Sequence, residues 1–290
     1  MIKKAVIPAA GFGTRFLPAT KSSPKEMLPI VDTPVIQYVV EEAVNSGITD
    51  IVMVIGRGKR AIEEHFDRNF ELEGELERRG REEELEAMRA ISTIADIHFV
   101  WQKEMNGLGD AVYCARNHIG DEPFAVLLGD TILDSATDRP VIGQLMDVYD
   151  RYHDSVVALE EVGWDRVSRY GVMDGSEIDD GVMQVNDFVE KPDREDAPSN
   201  LVIASRYVFS PQIFDCLSRT KRGKNNEIQL TDAMHMLLSS RAMYGYKFRG
   251  HRYDAGNKLD YLKTNIAFAL KHSDLRSDVV DHIKKLALEL

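Results

Sequence analysis

The sequence of 290 residues has few of the features that mark secreted or membrane-spanning proteins. A chain this long buries enough surface to fold without disulfides, and its only cysteines, Cys114 and Cys216, fit a reducing compartment. No apolar run reaches the ~18 residues that a membrane span requires. Near the N terminus, a glycine loop stands where a signal peptide would have a longer apolar stretch and a cleavage site. We therefore expect a cytoplasmic protein with no membrane partner.

Positive charge is also in short supply. The chain has 36 Lys and Arg against 48 Asp and Glu, and the net charge of −12 argues against general affinity for nucleic acid or anionic membranes. An anionic ligand must then be held by local positive charge. Such a patch is expected from Met1 to Lys25, which contains five basic residues and no acidic one. The opposite bias between Glu63 and Glu86, with eleven acidic residues, is interpreted as a solvated helical excursion and not as a metal site.

What the sequence does contain is an alternation of two patterns. Short apolar runs rich in Val, Ile and Phe are separated by longer stretches of helical periodicity, which is typical of strands joined by crossover helices. We therefore predict a single α/β domain over residues 1–290, with a doubly wound, mostly parallel mixed sheet. The predicted strands are 3–9, 50–55, 97–101, 124–128, 155–160, 182–189, 201–209 and 243–248, and the predicted helices are 35–46, 108–118, 141–152, 228–239 and 259–271.

A glycine loop follows the first predicted strand. The segment PAAGFGTR at residues 8–15 places small residues at a turn, where backbone N–H groups can approach phosphate oxygens closely. It lacks the Gly-Lys-Ser/Thr ending of a Walker loop, and Phe16 stands where the dinucleotide fingerprint has its third glycine. A glycine pair alone is more often a plain turn. Arg15 and Lys25, the latter flanked by Pro24 and Pro29, supply the donors that favour a phosphate-binding loop.

Two aspartates are candidate metal ligands. Asp130 follows the apolar run FAVLL at 124–128, which is typical of a buried parallel strand, so we expect it at the carboxyl end of that strand. Ligands of open α/β sheets collect at such ends, where a carboxylate can hold Mg²⁺ beside a nucleotide phosphate. Asp254, in YDAGN at 253–257, is the second candidate. By its own sequence context, Asp254 could equally cap the helix that follows.

The segment AAGFGTRFLPATKSSPKEMLP, residues 9–29, resembles the signature of the sugar-nucleotide pyrophosphorylases, which have a nucleotidyltransferase fold. Within that family the chain is most similar to the bacterial UTP:glucose-1-phosphate uridylyltransferases. The resemblance continues in order through most of the chain, so chance is a poor explanation of it. Further matching segments are HFD at 65–67, LGDAV at 108–112, LLGD at 127–130, SRYGV at 168–172, VEKP at 189–192, NEIQLTDA at 226–233 and YDAGNKLDYL at 253–262.

The resemblance implies a role for each candidate residue. It implies that Asp130 and Asp254 hold Mg²⁺ and that Arg15, Lys25 and Lys191 act on the phosphates during catalysis. It further implies a nucleotide site of Ala9, Ala10, Gly11, Gly13, Thr14, Gln102 and Gly107, and a sugar site of Gly171, Glu190 and Lys191.

For four of these residues the resemblance implies a specific contact. The resemblance makes Glu190 an acceptor for glucose hydroxyls and Lys191 the cation on the sugar phosphate; without it, the two would be interpreted as an exposed strand end. Because adjacent side chains on a strand point to opposite faces, they need not pair with each other. The Gln102 amide offers a donor and an acceptor to the imide edge of uracil, and Gly107 would allow close approach of the ring.

The implied reaction transfers a uridylyl group from UTP to glucose 1-phosphate and yields UDP-glucose and pyrophosphate. No general base is demanded, since a phosphate monoester is already largely ionised at neutral pH. We expect the nucleotide on residues 1–154, the sugar on 155–256 and helices at 257–290, with a homodimer or homotetramer suggested by the family. The alternatives are a thymidylyl, cytidylyl or adenylyl transferase, a catalytically silent sugar-nucleotide-binding protein, and a dinucleotide oxidoreductase, which Phe16 argues against.

Overall fold

The structure is a computed structural model that describes residues 1–289, with the backbone alone at Lys224. Leu290, the last residue of the predicted C-terminal segment, lies outside the described residues. The strands are β1 (Lys4–Ala9), β2 (Pro29–Ile30), β3 (Thr33–Pro34), β4 (Asp50–Ile55), β5 (Asp96–Trp101), β6 (Phe124–Leu127), β7 (Thr131–Ser135), β8 (Ser155–Glu161), β9 (Gly171–Asp179), β10 (Val182–Glu190), β11 (Leu201–Phe209), β12 (Met243–Lys247) and β13 (Gly250–Asp254). The helices are α1 (Val35–Asn45), α2 (Arg60–Phe66), α3 (Phe70–Arg78), α4 (Glu82–Ser92), α5 (Leu108–Cys114), α6 (Arg116–Ile119), α7 (Val141–Tyr152), α8 (Ile213–Arg219), α9 (Leu230–Leu238), α10 (Lys258–Ala269) and α11 (Arg276–Glu289).

One nine-stranded sheet organises the fold, in the order β5-β4-β1-β6-β11-β8-β12-β10-β9. The strands from β5 to β6 are all parallel, so their carboxyl ends lie along one edge. Beyond β6 the pairing is mixed: β11 lies antiparallel between β6 and β8, β12 is parallel to β8, and β10 is antiparallel to both β12 and β9.

The expected mixed α/β sheet is confirmed, but parallel pairing is complete only in its first half. The predicted predominance of parallel pairing is not confirmed in the second half, where most neighbouring strands are antiparallel. β9 and β10 are joined through Asp180 and Gly181 alone. A two-residue connection can join only antiparallel strands, because parallel neighbours need a crossover of a dozen or more residues.

Alternating strand residues fill a core on each face of the sheet. Val6, Val52 and Val126 belong to one core, which α5, α8 and α9 cover. Ile7 and Met53 belong to the other, which α1 and α7 cover. Strands buried on both faces read as continuous apolar runs, and this explains why the sequence predicts them well.

The eight predicted strands and five predicted helices all occur, and the helix predicted over 108–118 is divided between α5 and α6 at Ala115. The sequence pattern does not predict β7, β9, β13 or α8. β9, GVMDGSEID, lies at the edge of the sheet and exposes much of its polar second half, so it lacks a clear apolar signal. β7 and β13 lie outside the main sheet, where they pair with each other.

The acidic segment after β4 is helical, as expected, and forms α2, α3 and α4. Glu73 on α3 accepts hydrogen bonds from Arg68 at 2.5 Å and from Arg89 at 3.1 Å. The hydrogen bond from Arg68, assisted by Arg89, lowers the pKa of Glu73 to about 2.

Within residues 1–289, no helix combines the length and apolar character that a membrane span needs.

Candidate active site

A cavity of about 510 Å³ lies beside the glycine loop, where β1 and β6 end. The chain leaves β1 at Ala9 and turns at once through Gly11 and Gly13. Gly13 has a φ of 66°, and a side-chain carbon there would lie 3.0 Å from Cβ of Lys25, so both backbone conformation and packing favour glycine. We call this space the loop cavity. Its lining residues are Pro8, Ala10, Gly11, Phe12, Gly13, Thr14, Lys25, Glu26, Gln102, Met105, Gly107, Leu108, Ala111, Leu128, Asp130 and Glu227.

Lys25 and Asp130 form an ion pair in the wall of the loop cavity, with Lys25 Nζ 2.5 Å from Asp130 Oδ2. Burial by itself would lower the pKa of Lys25 and raise that of Asp130. Their mutual attraction, with Glu26 acting on Lys25 and Arg15 on Asp130, outweighs burial in both cases. The pKa of Lys25 is raised and that of Asp130 is lowered, so both groups are charged at neutral pH.

Asp254 reaches the same place from a distant part of the chain. It is the last residue of β13 and pairs with Thr131 of β7, the residue that follows Asp130. A side-chain carbon on Gly256 would lie 2.8 Å from Oδ1 of Asp254, 3.6 Å from Oδ2 of Asp130 and 3.9 Å from Nη1 of Arg15. Two carboxylates and a guanidinium therefore border a space that glycine leaves open.

The helix-cap alternative for Asp254 is wrong. Asn257 caps α10, with its side chain accepting from the backbone N–H of Asp260 at 2.9 Å. Oδ1 of Asp254 accepts instead from the backbone N–H of Gly256 at 2.8 Å. Mg²⁺ prefers oxygen ligands and commonly takes one or two protein carboxylates. The donor set of Asp130 and Asp254 therefore fits Mg²⁺.

A second group of residues, which we call the hairpin cluster, consists of Gly171, Glu190, Lys191 and Thr231. Gly171 begins β9 and pairs with Glu190 at the end of β10. The Thr231 hydroxyl on α9 donates to Oε2 of Glu190 at 2.6 Å, and a side-chain carbon on Gly171 would lie 3.3 Å from the same oxygen. Glycine at 171 thus leaves space beside the Glu190 carboxylate.

Strand pairing relates the hairpin cluster to the loop cavity. Val172, next to Gly171, pairs with Val202 near the start of β11 as well as with β10. β11 runs antiparallel to β6, and the backbone N–H of Leu128 donates to the carbonyl of Ser205 at 3.2 Å. The first residues of β11 therefore extend past the carboxyl end of β6, in the direction that leads to Asp130. Both groups of residues lie at this edge of the sheet.

Glu190 and Lys191 pair, at 2.7 Å between Glu190 Oε1 and Lys191 Nζ, although by the argument from alternating faces they need not do so. That argument assumes that both residues belong to one strand, whereas β10 ends at Glu190. Lys191 has a φ of 47°, so the backbone leaves the extended conformation and the alternation of faces no longer applies.

The basic N-terminal segment is not one patch. Lys3 and Lys4 stand at the amino end of β1, where Lys4 Nζ donates to the carbonyls of His118 and Ile119. Arg15 and Lys25 follow the carboxyl end of the same strand. The strand separates the two pairs; Lys25 lines the loop cavity, and Arg15 borders the space beside Gly256.

The Gln102 side chain lines the loop cavity but is only 4% exposed. Its Nε2 donates to the carbonyl of Gly107 at 3.0 Å and to Oδ2 of Asp110 at 2.8 Å. Both amide N–H groups are thus engaged within the protein. Gly107 has a φ of 104°, and a side-chain carbon there would lie 2.7 Å from Cβ of Glu227, so packing requires this glycine irrespective of any ligand.

Of the other predicted nucleotide residues, Ala10, Gly11, Gly13 and Thr14 line the loop cavity. Ala9 is the buried last residue of β1, with 1% of its surface exposed.

A second ion pair, between Lys59 and Glu26, lies next to the pair of Lys25 and Asp130 and is not predicted from the sequence. Lys59 Nζ lies 2.7 Å from Oε2 of Glu26, and both side chains are buried. Burial raises the pKa of Glu26 and lowers that of Lys59, and here it outweighs the attraction between them. These shifts oppose those of Lys25 and Asp130. The signal in the sequence is Glu26 itself, an acidic residue within the matching segment of residues 9–29.

A third buried pair holds the chain on both sides of Asp130. Arg206, fully buried in β11, lies 2.7 Å from Oε2 of Glu42 on α1. Its guanidinium also donates to the carbonyls of Leu128 at 3.5 Å and of Thr131 at 2.8 Å. An arginine within the apolar run LVIASRYVF is a sequence signal that could have been used to find it.

Comparison with known proteins places this geometry in a family. The sequence profile of the family described as Nucleotidyl transferase matches residues 4–270. The chain is 51% identical to the UTP–glucose-1-phosphate uridylyltransferase of Bacillus subtilis (strain 168), over 98% of this chain and 97% of that protein. It is 52% identical to the protein of the same name from Staphylococcus epidermidis, over 98% of each chain.

Solved structures agree with these sequence similarities. The UTP-bound UGPase from Acinetobacter baumannii matches with a TM-score of 0.91 at 39% identity, covering 100% of both chains. UDP-glucose pyrophosphorylase complexed with UDP-glucose matches with a TM-score of 0.87 at 45% identity, covering 94% of this chain and 100% of that one. The resemblance seen in the sequence is therefore confirmed. The chain belongs to the nucleotidyl transferase family, within the group of the UTP–glucose-1-phosphate uridylyltransferases.

Proposed function

We propose that the chain transfers the uridylyl group of UTP to glucose 1-phosphate, giving UDP-glucose and pyrophosphate. The observation that carries the proposal is the convergence of Asp130, Asp254, Arg15 and Lys25 beside the loop cavity. Two carboxylates for a metal ion and two cations for phosphates are the groups that phosphoryl transfer requires. Relatives at about half identity bear the name of this activity.

UTP occupies the loop cavity in this proposal. Backbone N–H groups of the glycine loop, from Ala10 to Thr14, bind phosphate oxygens, and Arg15 and Lys25 neutralise their charge. Lys25 already donates to Asp130, and an ammonium group has three protons to donate, so it can bind both Asp130 and a phosphate. Ala9 supports the loop from the end of β1.

For the base, the structure modifies the role expected of Gln102. Because both amide N–H groups bind Gly107 and Asp110, we propose that Oε1 of Gln102 accepts from the N3–H group of uracil. The Gly107 backbone lies along the ring. Thymine has the same N3–H group, so this contact alone does not distinguish uracil from thymine.

Glucose 1-phosphate binds at the hairpin cluster. The Glu190 carboxylate accepts from sugar hydroxyls in the space that Gly171 leaves open, and Lys191 binds the phosphate. Thr231 holds Glu190 through Oε2, which fixes the carboxylate before the sugar arrives. Lys191, paired with Glu190, is held close to the sugar that Glu190 binds.

Asp130 and Asp254 are the residues that would hold Mg²⁺. The ion, when bound, supplies positive charge to the transferring and leaving phosphates. Arg15 is placed to complement it, because its Nη1 borders the same space beside Gly256. Lys25 keeps Asp130 ionised and therefore able to act as a ligand.

The chemistry then depends on position and charge. An oxygen of the sugar phosphate attacks the α-phosphorus of UTP in line, the bond from that phosphorus to the bridging oxygen breaks, and pyrophosphate leaves. No proton has to be removed from the nucleophile, since a phosphate monoester is largely ionised at neutral pH. Arg15, Lys25 and Lys191 hold the two anions together against their repulsion.

The test is pyrophosphate release from UTP in the presence of Mg²⁺, with glucose 1-phosphate added or omitted and TTP measured in parallel. We expect release that depends on the sugar phosphate and favours UTP. Preference for TTP would retain the mechanism and overturn the assignment of the base. Tight binding of UDP-glucose without pyrophosphate release would instead identify a silent binding protein.

We further propose that the protein is a cytoplasmic homodimer or homotetramer. Within each chain, residues 1–154 bind the nucleotide and residues 155–256 bind the sugar. Leu259, Leu262 and Ile266 form an apolar stripe on α10, and 60%, 58% and 40% of their surfaces are exposed. Such a stripe is suited to contact a second copy. Residues 1–154 provide most of the loop cavity and residues 155–256 provide the hairpin cluster. The second part also contributes Glu227 to the lining of the loop cavity and Asp254 to the space beside Asp130. A monomer in light scattering would contradict the assembly.

A further inference from the structure

A group of metal-ligating side chains lies far from the loop cavity. Asp50 is the first residue of β4, His98 is the third residue of β5, and His118 belongs to α6. β4 continues for six residues before Gly56 packs against Ala10 of the glycine loop. At about 3.3 Å per residue, the group lies roughly 15–20 Å from that loop, at the opposite edge of the parallel strands.

The sequence and the sheet register together explain why these residues meet. Asp50 pairs with Asp96, and Val52 pairs with His98, so Asp50 and His98 are diagonal neighbours on adjacent strands. Alternation places both on the face that carries Val52 and Val54, and this face is covered by α5 and by Ile119 of α6. His118 precedes Ile119 and lies at the border of that covered face.

The ligand atoms of the three side chains lie within 4.8 Å of one another. Nε2 of His118 is 2.8 Å and Nε2 of His98 is 3.8 Å from the same oxygen, Oδ1 of Asp50, and the imidazole centroids are 4.4 Å apart. Ligands around a tetrahedral ion with bonds of ~2.0–2.2 Å stand about 3.3 Å apart. To reach that spacing, His118 and Asp50 would move slightly apart from 2.8 Å, and the half-exposed ring of His98 would move closer to Asp50 than 3.8 Å.

We propose that Asp50, His98 and His118 form a binding site for one divalent transition-metal ion, of which Zn²⁺ is the reference case. Two imidazoles and a carboxylate suit Zn²⁺, Co²⁺ or Ni²⁺ and do not suit Mg²⁺, which prefers oxygen ligands. The fourth position faces solvent and takes a water molecule. On binding, the proton between Nε2 of His118 and Asp50 passes to solvent or to Nδ1 of the same ring, and the freed Nε2 lone pair bonds the ion.

The charges around the group permit a cation. Lys4 is the nearby basic residue, and its Nζ lies 2.5 Å from Oε1 of Glu122 and donates to the carbonyls of His118 and Ile119. Asp96, beside Asp50 in the register, adds a further exposed carboxylate.

The three ligands come from separate elements, and β5 is the edge strand of the sheet. A bound ion would join this edge strand to β4 and to α6. An ion that binds the folded and not the unfolded chain stabilises the fold by mass action. The proposal does not depend on the proposed function, and we expect catalysis to be unaffected.

The experiment is a calorimetric titration of the purified full chain with Zn²⁺ in the presence of excess Mg²⁺, which occupies any oxygen-ligand site such as Asp130 and Asp254. We expect one Zn²⁺ per chain. Loss of a residue that only hydrogen-bonds to a metal ligand typically weakens metal binding ~10–100-fold. Loss of a ligand should cost at least as much, so we expect that weakening for each of His98→Ala, His118→Ala and Asp50→Asn. His98 is exposed, so His98→Ala keeps the fold and remains informative if the other variants do not.

His235→Ala is the matched control, because His235 also pairs with a carboxylate, Asp187, but belongs to no group of three possible metal ligands among the described residues. It should bind Zn²⁺ as the wild type does. In a second measurement, Zn²⁺ should raise the Tm of the wild type and of His235→Ala, and should not raise that of His98→Ala. Equal Zn²⁺ affinity of wild type and His98→Ala, or no binding to the wild type, would overturn the proposal.

Discussion

The loop cavity and the hairpin cluster differ in what holds their charged groups. Around the loop cavity, Asp130 is held by Lys25 and by the Arg206 contacts to the chain on both sides of it. In the hairpin cluster, Glu190 is held by its neighbour Lys191 and by Thr231. The first region depends on buried ion pairs between distant parts of the chain, whereas the second depends on a hairpin end and one helix.

This difference matches the tasks proposed for the two regions. A site for a metal ion and a triphosphate needs charges fixed in place before the ligand binds, because fixed charges stabilise the transition state without reorganising. A site for a monosaccharide phosphate needs acceptors for hydroxyls and one cation. Substitutions around the loop cavity should therefore lower the free energy of unfolding or the kcat. Substitutions in the hairpin cluster should mainly raise the KM for the sugar phosphate.

The largest expected effect is on the stability of the first region. Arg206→Met leaves the Glu42 carboxylate buried without its partner, which we expect to cost about 3–5 kcal/mol in the free energy of unfolding. Urea unfolding measures the loss. The double variant Arg206→Met/Glu42→Leu should recover part of it, because no charge is left buried, while the Thr131 carbonyl and the Ile142 N–H still lose their side-chain partners. A loss below about 1 kcal/mol in the single variant would mean that this pair does not stabilise the region.

The second effect concerns catalysis at the loop cavity. Asp130→Asn should lower Mg²⁺-dependent kcat by at least ~10²-fold while the circular dichroism spectrum is retained, since removal of one preorganised electrostatic group often costs that much. Asp134→Asn is the control: Asp134 lies on the same strand as Thr131 and pairs with the exposed Lys271. Near-normal turnover of Asp130→Asn would remove Asp130 from the site.

The third effect tests the hairpin cluster through substrate affinity. Lys191→Ala should raise the KM for glucose 1-phosphate by ~10-fold or more, the cost of losing a hydrogen bond to a charged group, and should change the KM for UTP less. Lys263→Ala, an exposed lysine on α10, should leave both KM values unchanged. A larger change in the KM for UTP would place Lys191 at the other subsite.

The smallest effect is a pH dependence at the loop cavity. The folded-state pKa of Asp130 is lowered, so its contribution to stability is present above the unfolded pKa of ~3.9 and is lost as pH falls through the folded value. The difference in unfolding free energy between wild type and Asp130→Asn should therefore shrink when urea unfolding is repeated near pH 3. A difference that is constant or larger there would contradict the direction of the shift.

Sequence reasoning succeeds in the first region because its strands carry unmistakable patterns. β1, β4 and β6 are buried on both faces and read as continuous apolar runs, so Asp130 could be placed at a carboxyl end from the sequence alone. β9 is a partly polar edge strand with no such run and is not predicted. β11 does carry an apolar run, but the run does not specify strand direction, and β11 lies antiparallel to β6.

The sequence pattern does not show which residues far apart in the chain contact each other. Nothing local to Glu42 or Arg206 specifies the other, and the pairing follows only once α1 and β11 pack. The Glu190–Lys191 pair is missed for a different reason. A single residue with a positive φ, Lys191, ends the strand geometry on which the argument for opposite faces depends.

The pairing of β7 with β13 has a consequence for the order of events during synthesis. Asp254 is placed beside Asp130 only through its pairing with Thr131, so the second carboxylate arrives only after nearly the whole chain has been translated. At ~5–20 residues per second, the parallel strands up to β6 leave the ribosome several seconds before β13 does. A chain that has not yet been translated as far as β13 lacks Asp254, one of the two proposed Mg²⁺ ligands. If the proposed function holds, the pairing of β7 with β13 delays the complete site until synthesis is nearly finished.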